Sequence, residues 1–354
     1  MPLRCIDPNG RSIQSFDLSG DHWEALSQEN RQSRHLRMPC CQAQVTLKRS
    51  SLGTKFFAHK AVRECNWAPE TEEHLHLKRL AVEAARASGW TAETEVPGES
   101  PDSEPWRADV LASKGKANVV IEIQWSGQTR EETLRRQERY RESGIRGLWL
   151  LRQPGFPISE SLPAVCVGGN VREGMMALIP KTTEMLARDR RNPDRWHQVL
   201  PMDEFLRAAF GGRFKFGVDP DYEATLRIRT GSMFCWSCGA ETRIVLYLEI
   251  AVGDKNVLIT IPNLGEYPRA SEMVRRRLLR HQGIGVIKYR FSGSQGRKYL
   301  SNGCVHCDSL IGEFYELDAG RDEEPLDTYQ VRVADGWKEV IDSRGWQDTW
   351  SVRS

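Results

Sequence analysis

Alternating apolar and polar positions near the middle of the chain predict two short neighbouring strands, over residues 107–111 and 120–126. Residues two apart on a strand share a face. Glu122 and Gln124 therefore leave one side of the second strand, and the apolar residues between them leave the other. Asp109 lies on the first strand. Two carboxylates on adjacent strands suit a hard divalent cation, which prefers oxygen ligands. An ordinary solvated sheet face is the alternative interpretation.

The apolar period becomes helical on either side of these strands. Apolar residues at helical spacing predict a helix from about Thr71 to Ser88. They form one buried stripe, which consists of Leu77, Leu80, Ala81, Ala84 and Ala85. Glu73 lies four residues before the first of these, so its carboxylate is predicted to point toward the core. A charged helix over 129–143 and a strand over 145–151 follow. The order predicts an α/β core with a mixed sheet.

The chain is predicted to have four parts, and glycine and proline mark the boundaries near residues 217 and 320. They are an N-terminal strand-rich segment with a hairpin (1–66), a core with a distal extension (67–217), a strand-rich domain with a basic helix (218–320) and a C-terminal tail (321–354). In the distal extension we expect a helix near Met202–Ala209 and a hairpin over Gly211–Gly217.

Composition narrows the class of protein. The 354 residues are 39% hydrophobic and 28% charged, with a net charge of +2, which indicates a soluble globular protein with two or three cores. No apolar run reaches the length of a membrane span and the N-terminus does not resemble a signal peptide, so we expect a cytoplasmic protein without a membrane partner. Nine cysteines, some in CxxC pairs, fit metal binding in a reducing compartment.

The CxxC pairs predict a structural zinc site in a zinc-ribbon-like domain. Cys235 and Cys238 form one pair and Cys304 and Cys307 the other, so together they supply the four thiolates that structural Zn²⁺ prefers. Fortuitous or redox-active cysteines are the alternative. A weaker set could form a second zinc site near the N-terminus: Cys40, Cys41, His59 and Cys65.

Seven short motifs lie in order along the chain between residues 57 and 216. They are Phe57-Ala-His59, Glu72-Glu-His-Leu-His-Leu-Lys78, Arg107-Ala-Asp-Val110, Ile121-Glu-Ile-Gln-Trp-Ser126, Arg136 with Tyr140, Leu200-Pro-Met-Asp-Glu-Phe205 and Gly212-Arg-Phe-Lys-Phe216. Together they resemble the competence protein CoiA-like family over roughly residues 36–215. The resemblance implies a PD-(D/E)XK restriction-endonuclease-like core. Family members often carry a Cys-Pro-x-Cys knuckle where this chain has Met38-Pro-Cys-Cys41.

The resemblance also implies an activity, namely metal-dependent hydrolysis of DNA phosphodiester bonds in competence, recombination or defence. It makes Asp109 and Glu122 ligands of Mg²⁺ or Mn²⁺, with Glu73 as an additional acidic residue and Gln124 where the usual motif has lysine. Without that positive charge, a rate loss of about two to three decades is typical. His76, or the pair His74 and Lys78, could face the phosphate.

Two basic clusters predict nucleic-acid contacts. Arg136 and Arg139 lie on the helix after Glu122, where acidic neighbours also allow a simple solvated face. The second cluster has only Glu272 to offset it and consists of Arg275, Arg276, Arg277 and Arg280. DNA, and DNA-processing or recombination proteins, are the expected partners, and the oligomeric state is left open. The alternatives are a nucleic-acid-binding module with a weak or inactive nuclease core, or a zinc-binding scaffold.

Overall fold

The computed structural model describes residues 2–60, 70–153, 156, 159–181, 192–253, 255–346 and 349–353. The chain divides into two compact units, Met1–Phe216 with Asp348–Ser354 (unit 1) and Gly217–Gln347 (unit 2). The first division lies beside the boundary expected at residue 217. Within the described residues, no helix is both long enough and apolar enough to span a membrane.

The elements are numbered in chain order. Unit 1 contains β1 (Arg4–Ile6), β2 (Ser12–Gln14), α1 (Gly20–Ser33), β3 (Val45–Arg49), β4 (Lys55–His59), α2 (Glu72–Ala87), β5 (Thr91–Glu99), β6 (Pro105–Lys114), β7 (Ala117–Gln124), α3 (Arg130–Glu142), β8 (Arg146–Leu151), β9 (Ala164–Asn170), β10 (Gly174–Pro180), β11 (Trp196–Pro201), α4 (Met202–Phe210) and β12 (Phe214–Phe216). Unit 2 contains β13 (Glu223–Phe234), β14 (Glu241–Val252), β15 (Lys255–Ile259), α5 (Ile261–Leu264), α6 (Pro268–Leu278), β16 (Lys288–Ser292), β17 (Arg297–Gly303), β18 (Leu310–Ile311), α7 (Glu313–Ala319), β19 (Glu324–Arg332) and α8 (Lys338–Ile341). The chain then returns to unit 1 as β20 (Trp350–Val352).

A seven-stranded sheet forms the centre of unit 1, in the order β11-β10-β9-β8-β7-β6-β5. β8 runs parallel to both β7 and β9, and the other neighbours are antiparallel, so the predicted mixed sheet is confirmed. Side chains of β7 alternate between two cores. Ile121 and Ile123 pack with Leu77 of α2, whereas Val120 packs with Tyr140 of α3.

Helices α2 and α3 begin where side-chain capping predicts. The hydroxyl of Thr71 accepts a hydrogen bond from the backbone N–H of His74, and Thr129 does the same for Glu132. Gly144, with φ of 70°, follows the last turn of α3, in a conformation that favours glycine. These caps fix where each helix meets the central strands.

Two local predictions in the distal part of the chain are wrong. Residues 211–217 do not form a hairpin, because β12 pairs with β20 from the far end of the chain. The stretch 321–354 is not a simple tail, because it contains both β20 and β19, which pairs with β13. Phe214 stacks on Trp350 with ring centroids 4.8 Å apart. Pairing across so many residues leaves no local turn signature to read. The expected hairpin before residue 60 is confirmed as β3 paired with β4.

Unit 2 is built on two antiparallel sheets, β15-β14-β13-β19 and β16-β17-β18. The expected basic helix is present as α6. Its apolar residues Ala270, Val274 and Leu278 share a core with Leu248 of β14 and Leu300 of β17. The two CxxC segments follow β13 and β17, so each sheet contributes one knuckle.

Candidate active site and cysteine clusters

Asp109 and Glu122 lie where the ladder between β6 and β7 ends. The last pair is Val110 with Ile121, and the two acidic residues follow one position beyond it. The backbone N–H of Ile123 donates to Oδ2 of Asp109 at 2.9 Å. The charge on Asp109 also raises the pKa of Glu122, after the larger effect of burial. The two carboxylates that the sequence singled out therefore lie at neighbouring positions of the two strands, but Glu122 is not part of the described group of possible ligand atoms that includes Asp109.

Asp109 faces helix α2. Nε2 of His74 lies 3.2 Å from Oδ2 of Asp109, and Nζ of Lys78 lies 3.1 Å from Oδ1. The same ammonium lies 2.7 Å from Glu70 and 3.1 Å from Glu95. Three carboxylates thus match the three N–H donors of a lysine that has no exposed surface.

The opposite charges in this cluster stabilise each other's ionised forms. Burial by itself raises the pKa of Asp109, but the nearby ammonium of Lys78 and the imidazole of His74 lower that pKa well below its usual value. Burial likewise lowers the pKa of Lys78, and Asp109, Glu95 and Glu70 raise it well above the usual value. Three carboxylates face one ammonium and one imidazole, so acidic groups outnumber basic ones in the cluster, which favours a further cation.

Glu95 is a member of this cluster that the sequence did not indicate. It is buried, has φ of 49°, and sits where the ladder between β5 and β6 skips one pair, between Thr94–Val110 and Val96–Ala108. Its carboxylate accepts a hydrogen bond from the backbone N–H of Leu3 at 3.2 Å. A non-glycine residue in the left-handed region is strained, and such strain often marks functional sites. No feature of the local pattern distinguishes this glutamate from a solvent-facing one.

Glu122 faces the opposite helix, α3. Its Oε1 accepts a hydrogen bond from the hydroxyl of Tyr140 and its Oε2 pairs with the guanidinium of Arg136. Glu122 is 1% exposed. Burial raises its pKa to about 7, and the opposing effect of Arg136 is smaller. Glu122 is therefore a carboxyl that ionises near neutral pH.

The other predicted catalytic residues lie at the edge of this arrangement. Gln124 is half-buried and its side-chain amide donates to the carbonyl of Ser126 at 2.7 Å. Glu73 is half-buried, and within the described residues no hydrogen bond or ion pair joins it to Asp109 or Glu122. His76 lines a different cleft, with Phe16 of the N-terminal segment. Of the α2 residues considered from sequence, His74 and Lys78 are the two that reach Asp109.

The donor atoms around Asp109 fit a divalent cation. Ligand atoms of Glu70, His74 and Asp109 all lie within 4.8 Å of one another. Nε2 of His74 is buried and lies 3.2 Å from Oδ2 of Asp109. Adjacent ligands on an octahedral ion with bonds near 2.1 Å are separated by about 3.0 Å. The spacing of the two atoms is therefore that of neighbouring ligands.

An arginine-lined cleft lies on the Glu122 side of the sheet. Its volume is about 340 Å³, and Arg107, Arg136 and Arg139 line it together with Trp106 and Tyr140. Glu132 also lines it, and Arg139 lies 3.5 Å from Glu104. The cleft places two of the predicted nucleic-acid contacts, Arg136 and Arg139, beside a candidate catalytic carboxyl.

A family model matches the part of the chain that carries this site. Residues 70–159 match the family model described as competence protein CoiA, nuclease-like domain. This segment is CoiA-like. A comparison with curated proteins finds no match. The CoiA-like segment contains Asp109, Glu122, Gln124 and both helices that reach them, so the predicted family is confirmed over the part of the chain that carries the candidate site.

Outside the CoiA-like segment, four thiols converge in unit 2. Sγ of Cys235 lies 3.6 Å from Sγ of Cys307, and Sγ of Cys238 lies 3.7 Å from Sγ of Cys304. Tetrahedral Zn²⁺ with Zn–S bonds near 2.3 Å separates its sulfurs by about 3.8 Å. Hydrogen bonding with Ser309 lowers the pKa of Cys307 to about 6. At Cys238 the backbone of Ala240 also acts to lower the pKa, but burial and hydrogen bonds with the neighbouring thiols raise it to about 12. The cluster is compatible with a zinc site.

The N-terminal cysteine cluster is smaller. Sγ of Cys40 lies 3.6 Å from Sγ of Cys41 and 3.5 Å from Nε2 of His59. These three residues form a group whose ligand atoms could share one ion. Cys65, the fourth residue predicted for this site, lies outside the described residues.

The arginines of α6 are more neutralised than expected. Arg276 pairs with Glu272, as the sequence suggests. Arg277, however, forms two hydrogen bonds with Asp327 of β19, at 2.7 and 3.2 Å, so Glu272 is not the only acidic residue that offsets this cluster. Arg275 donates to the carbonyl of Ile287 at 2.9 Å. Among the described atoms, the exposed Arg280 makes no ion pair or side-chain hydrogen bond. The strand that supplies Asp327 lies some fifty positions further along the chain, so α6 alone does not reveal it.

Proposed function

We propose that the protein is a metal-dependent nuclease that hydrolyses DNA phosphodiester bonds, with a PD-(D/E)XK-like core in unit 1. The observation that carries the proposal is the buried cluster at Asp109. It combines an excess of carboxylates with a buried imidazole nitrogen spaced as a neighbouring metal ligand. The match of residues 70–159 to a nuclease-like family model supports the same conclusion.

In this proposal Asp109, His74 and Glu70 hold Mg²⁺ or Mn²⁺, with Glu122 beside them. A bound divalent ion would supply an acidified water and neutralise charge on the phosphate. Lys78 keeps Asp109 ionised and oriented through its 3.1 Å contact. Arg136 and Arg139 bind the phosphate backbone in the adjoining cleft. Gln124 orients water by hydrogen bonding and contributes no charge.

Unit 2 contributes a structural Zn²⁺ in this proposal, held by Cys235, Cys238, Cys304 and Cys307. Four thiolates close the coordination sphere and leave no position for a reacting water. The role of this ion is therefore to join the knuckle after β13 to the knuckle after β17.

The test is cleavage of labelled single- and double-stranded DNA by the full chain, with Mg²⁺ or Mn²⁺ added. Asp109→Asn removes the charge of the central carboxylate and keeps its shape. Asp203→Asn is the matched control, because Asp203 is a half-buried aspartate that pairs with Arg207 on α4, away from the cluster. We expect metal-dependent cleavage that is lost in the first variant and retained in the second. Equal activity of both variants would contradict the proposal.

A nucleic-acid-binding module with a weak nuclease core is the second candidate. The observation that favours it is the engagement of both Glu122 oxygens by Tyr140 and Arg136, together with the uncharged Gln124 at the usual lysine position. Salt-sensitive DNA binding without cleavage by the wild-type protein would support this candidate.

A further inference from the structure

Unit 2 contains an uninterrupted basic segment. Residues 273–307 include eight lysines and arginines and no aspartate or glutamate. They span the end of α6, the hairpin of β16 and β17, and the second CxxC knuckle. Acidic residues outside this segment form ion pairs with some of these cations. Positive charge therefore remains only at the lysines and arginines that have no acidic partner.

Most of these cations are engaged in holding the fold. Arg277 pairs with Asp327, and Arg276 pairs with Glu272. Lys288 and the buried Arg290 both pair with Asp308, and Arg290 also donates to the carbonyls of Ser301 at 3.0 Å and Val286 at 2.8 Å. These groups stabilise α6 and the second knuckle, and their charges are largely neutralised.

The opposite face of the same hairpin carries aromatic rings and a lysine. Tyr289 and Phe291 alternate with buried residues along β16 and are 46% and 68% exposed. Phe291 is paired across the hairpin with Lys298 of β17. Lys298 is exposed, and among the described atoms it has no ion pair or side-chain hydrogen bond. The hydroxyl of Tyr289 donates to the carbonyl of Gly265 at 2.8 Å, which fixes the orientation of its ring.

We propose that this face of the β16–β17 hairpin, formed by Tyr289, Phe291 and Lys298, binds single-stranded DNA. Exposed aromatic rings two positions apart on one strand offer surfaces on which unpaired bases stack, and an adjacent lysine contacts the phosphate backbone. Bases within a duplex are already stacked, so this face selects single strands. Arg297 and Lys298, at the start of β17, form no ion pair among the described residues, so they supply the charge complementarity that an ordinary apolar patch lacks.

The proposal concerns binding at unit 2 and does not depend on cleavage at unit 1. The experiment therefore uses the full chain with Asp109→Asn and measures fluorescence anisotropy of a labelled single strand and of the matching duplex. No chelator is added, so that any zinc stays bound. Phe291→Ser tests stacking. Phe234→Ser is the matched control, since Phe234 is 73% exposed in the same unit but is paired across the strands with Glu241.

We expect Phe291→Ser to weaken single-strand binding by about 5- to 100-fold, the range for loss of one base–aromatic stack. Duplex affinity and the effect of Phe234→Ser should stay within about twofold of the parent. Lys298→Gln should reduce the slope of log K against log salt by about 0.7, one phosphate contact on a single strand. Equal losses in Phe291→Ser and Phe234→Ser, or no loss in either, would overturn the proposal. So would equal losses for duplex and single strand.

These outcomes are separable from those for the nuclease. If the wild-type protein cleaves no DNA but Phe291→Ser weakens single-strand binding, this inference stands and the proposed nuclease activity is overturned. If the wild-type protein cleaves DNA but Phe291→Ser leaves single-strand affinity unchanged, the nuclease activity stands and this inference is overturned.

Discussion

The ammonium nitrogen of Lys78 lies 3.1 Å from Oδ1 of Asp109, and the lysine side chain has no solvent-exposed surface. The positive charge nearest to the central carboxylate therefore comes from helix α2, while the strand position that the usual motif gives to lysine holds Gln124. Removing this ammonium would leave buried carboxylates without their counter-ion, a situation that is strongly unfavourable.

Lys78→Met is therefore expected to lower the free energy of unfolding by about 3–5 kcal/mol. Chemical denaturation followed by circular dichroism measures this loss. Arg79→Met is the control, because Arg79 is the adjacent residue on α2, is exposed and pairs only with Glu83 among the described residues. Its cost should stay below about 0.5 kcal/mol.

A double variant tests whether the cost arises at Asp109. In Lys78→Met with Asp109→Asn, one of the unpaired carboxylates is gone. The double variant should therefore lose less stability than the two single variants added together, by about 0.5–3 kcal/mol. Strict additivity would show that Lys78 acts on the fold independently of Asp109.

The sequence predicted the strands and the carboxylates of this site because both follow from local periodicity. Alternation on β7 separates Ile121 and Ile123 from Glu122, and the structure shows that the two sets do face different partners. Periodicity is less informative about which residue of α2 reaches Asp109. Counting four residues back from Leu77 identifies the stripe that meets the core, whereas Asp109 lies beside the neighbouring stripe of His74 and Lys78.

Other parts of the structure depend on contacts that no local pattern encodes. Glu95 reaches the site through a break in the β5–β6 ladder, and its left-handed backbone conformation has no signature in the sequence. The pairing of β12 with β20, and of Arg277 with Asp327, joins segments far apart in the chain. Such contacts follow from the packing of the whole fold, so periodicity and spacing do not predict them.

The raised pKa of Glu122 predicts an unusual dependence of stability on pH. An unfolded glutamate titrates near 4.5 and the folded one near 7, because burial disfavours the charged form. Below pH 4.5 both states are protonated. Between these values only the unfolded state ionises, so stability falls as the pH rises, and above pH 7 the contribution is constant.

Glu122→Gln removes this titration and keeps the shape of the side chain. The stability of the parent relative to the variant should therefore fall by on the order of 1–3 kcal/mol from pH 4.5 to pH 7.5. Denaturation curves at several pH values, without added divalent metal, give this difference. If the parent instead gained stability over the interval, the pKa of Glu122 would be lowered rather than raised.

The four thiols of unit 2 predict a stoichiometric zinc content. We expect about one Zn²⁺ per chain by elemental analysis, lost in Cys304→Ser together with a lower midpoint of thermal unfolding, since metal binding contributes to folding. His306→Ala is the matched control, because His306 lies exposed between Cys304 and Cys307 and is not part of the four-thiol group. Loss of zinc in this control would point to a different ligand set. A second equivalent that disappears in Cys40→Ser would identify the N-terminal cluster as another site.

His74 and Glu73 are neighbours on α2 and allow the metal site to be located without measuring cleavage. Nε2 of His74 lies 3.2 Å from Oδ2 of Asp109, whereas Glu73 makes no described contact with either central carboxylate. His74→Ala should therefore weaken binding of Mn²⁺, measured by isothermal titration calorimetry, at least about tenfold, since even the supporting groups of a metal site contribute that much. Glu73→Ala should leave the affinity within about twofold. The reverse result would identify Glu73 as the additional ligand and place the ion nearer Glu122. The contact between His74 and Asp109 would then be an ordinary ion pair.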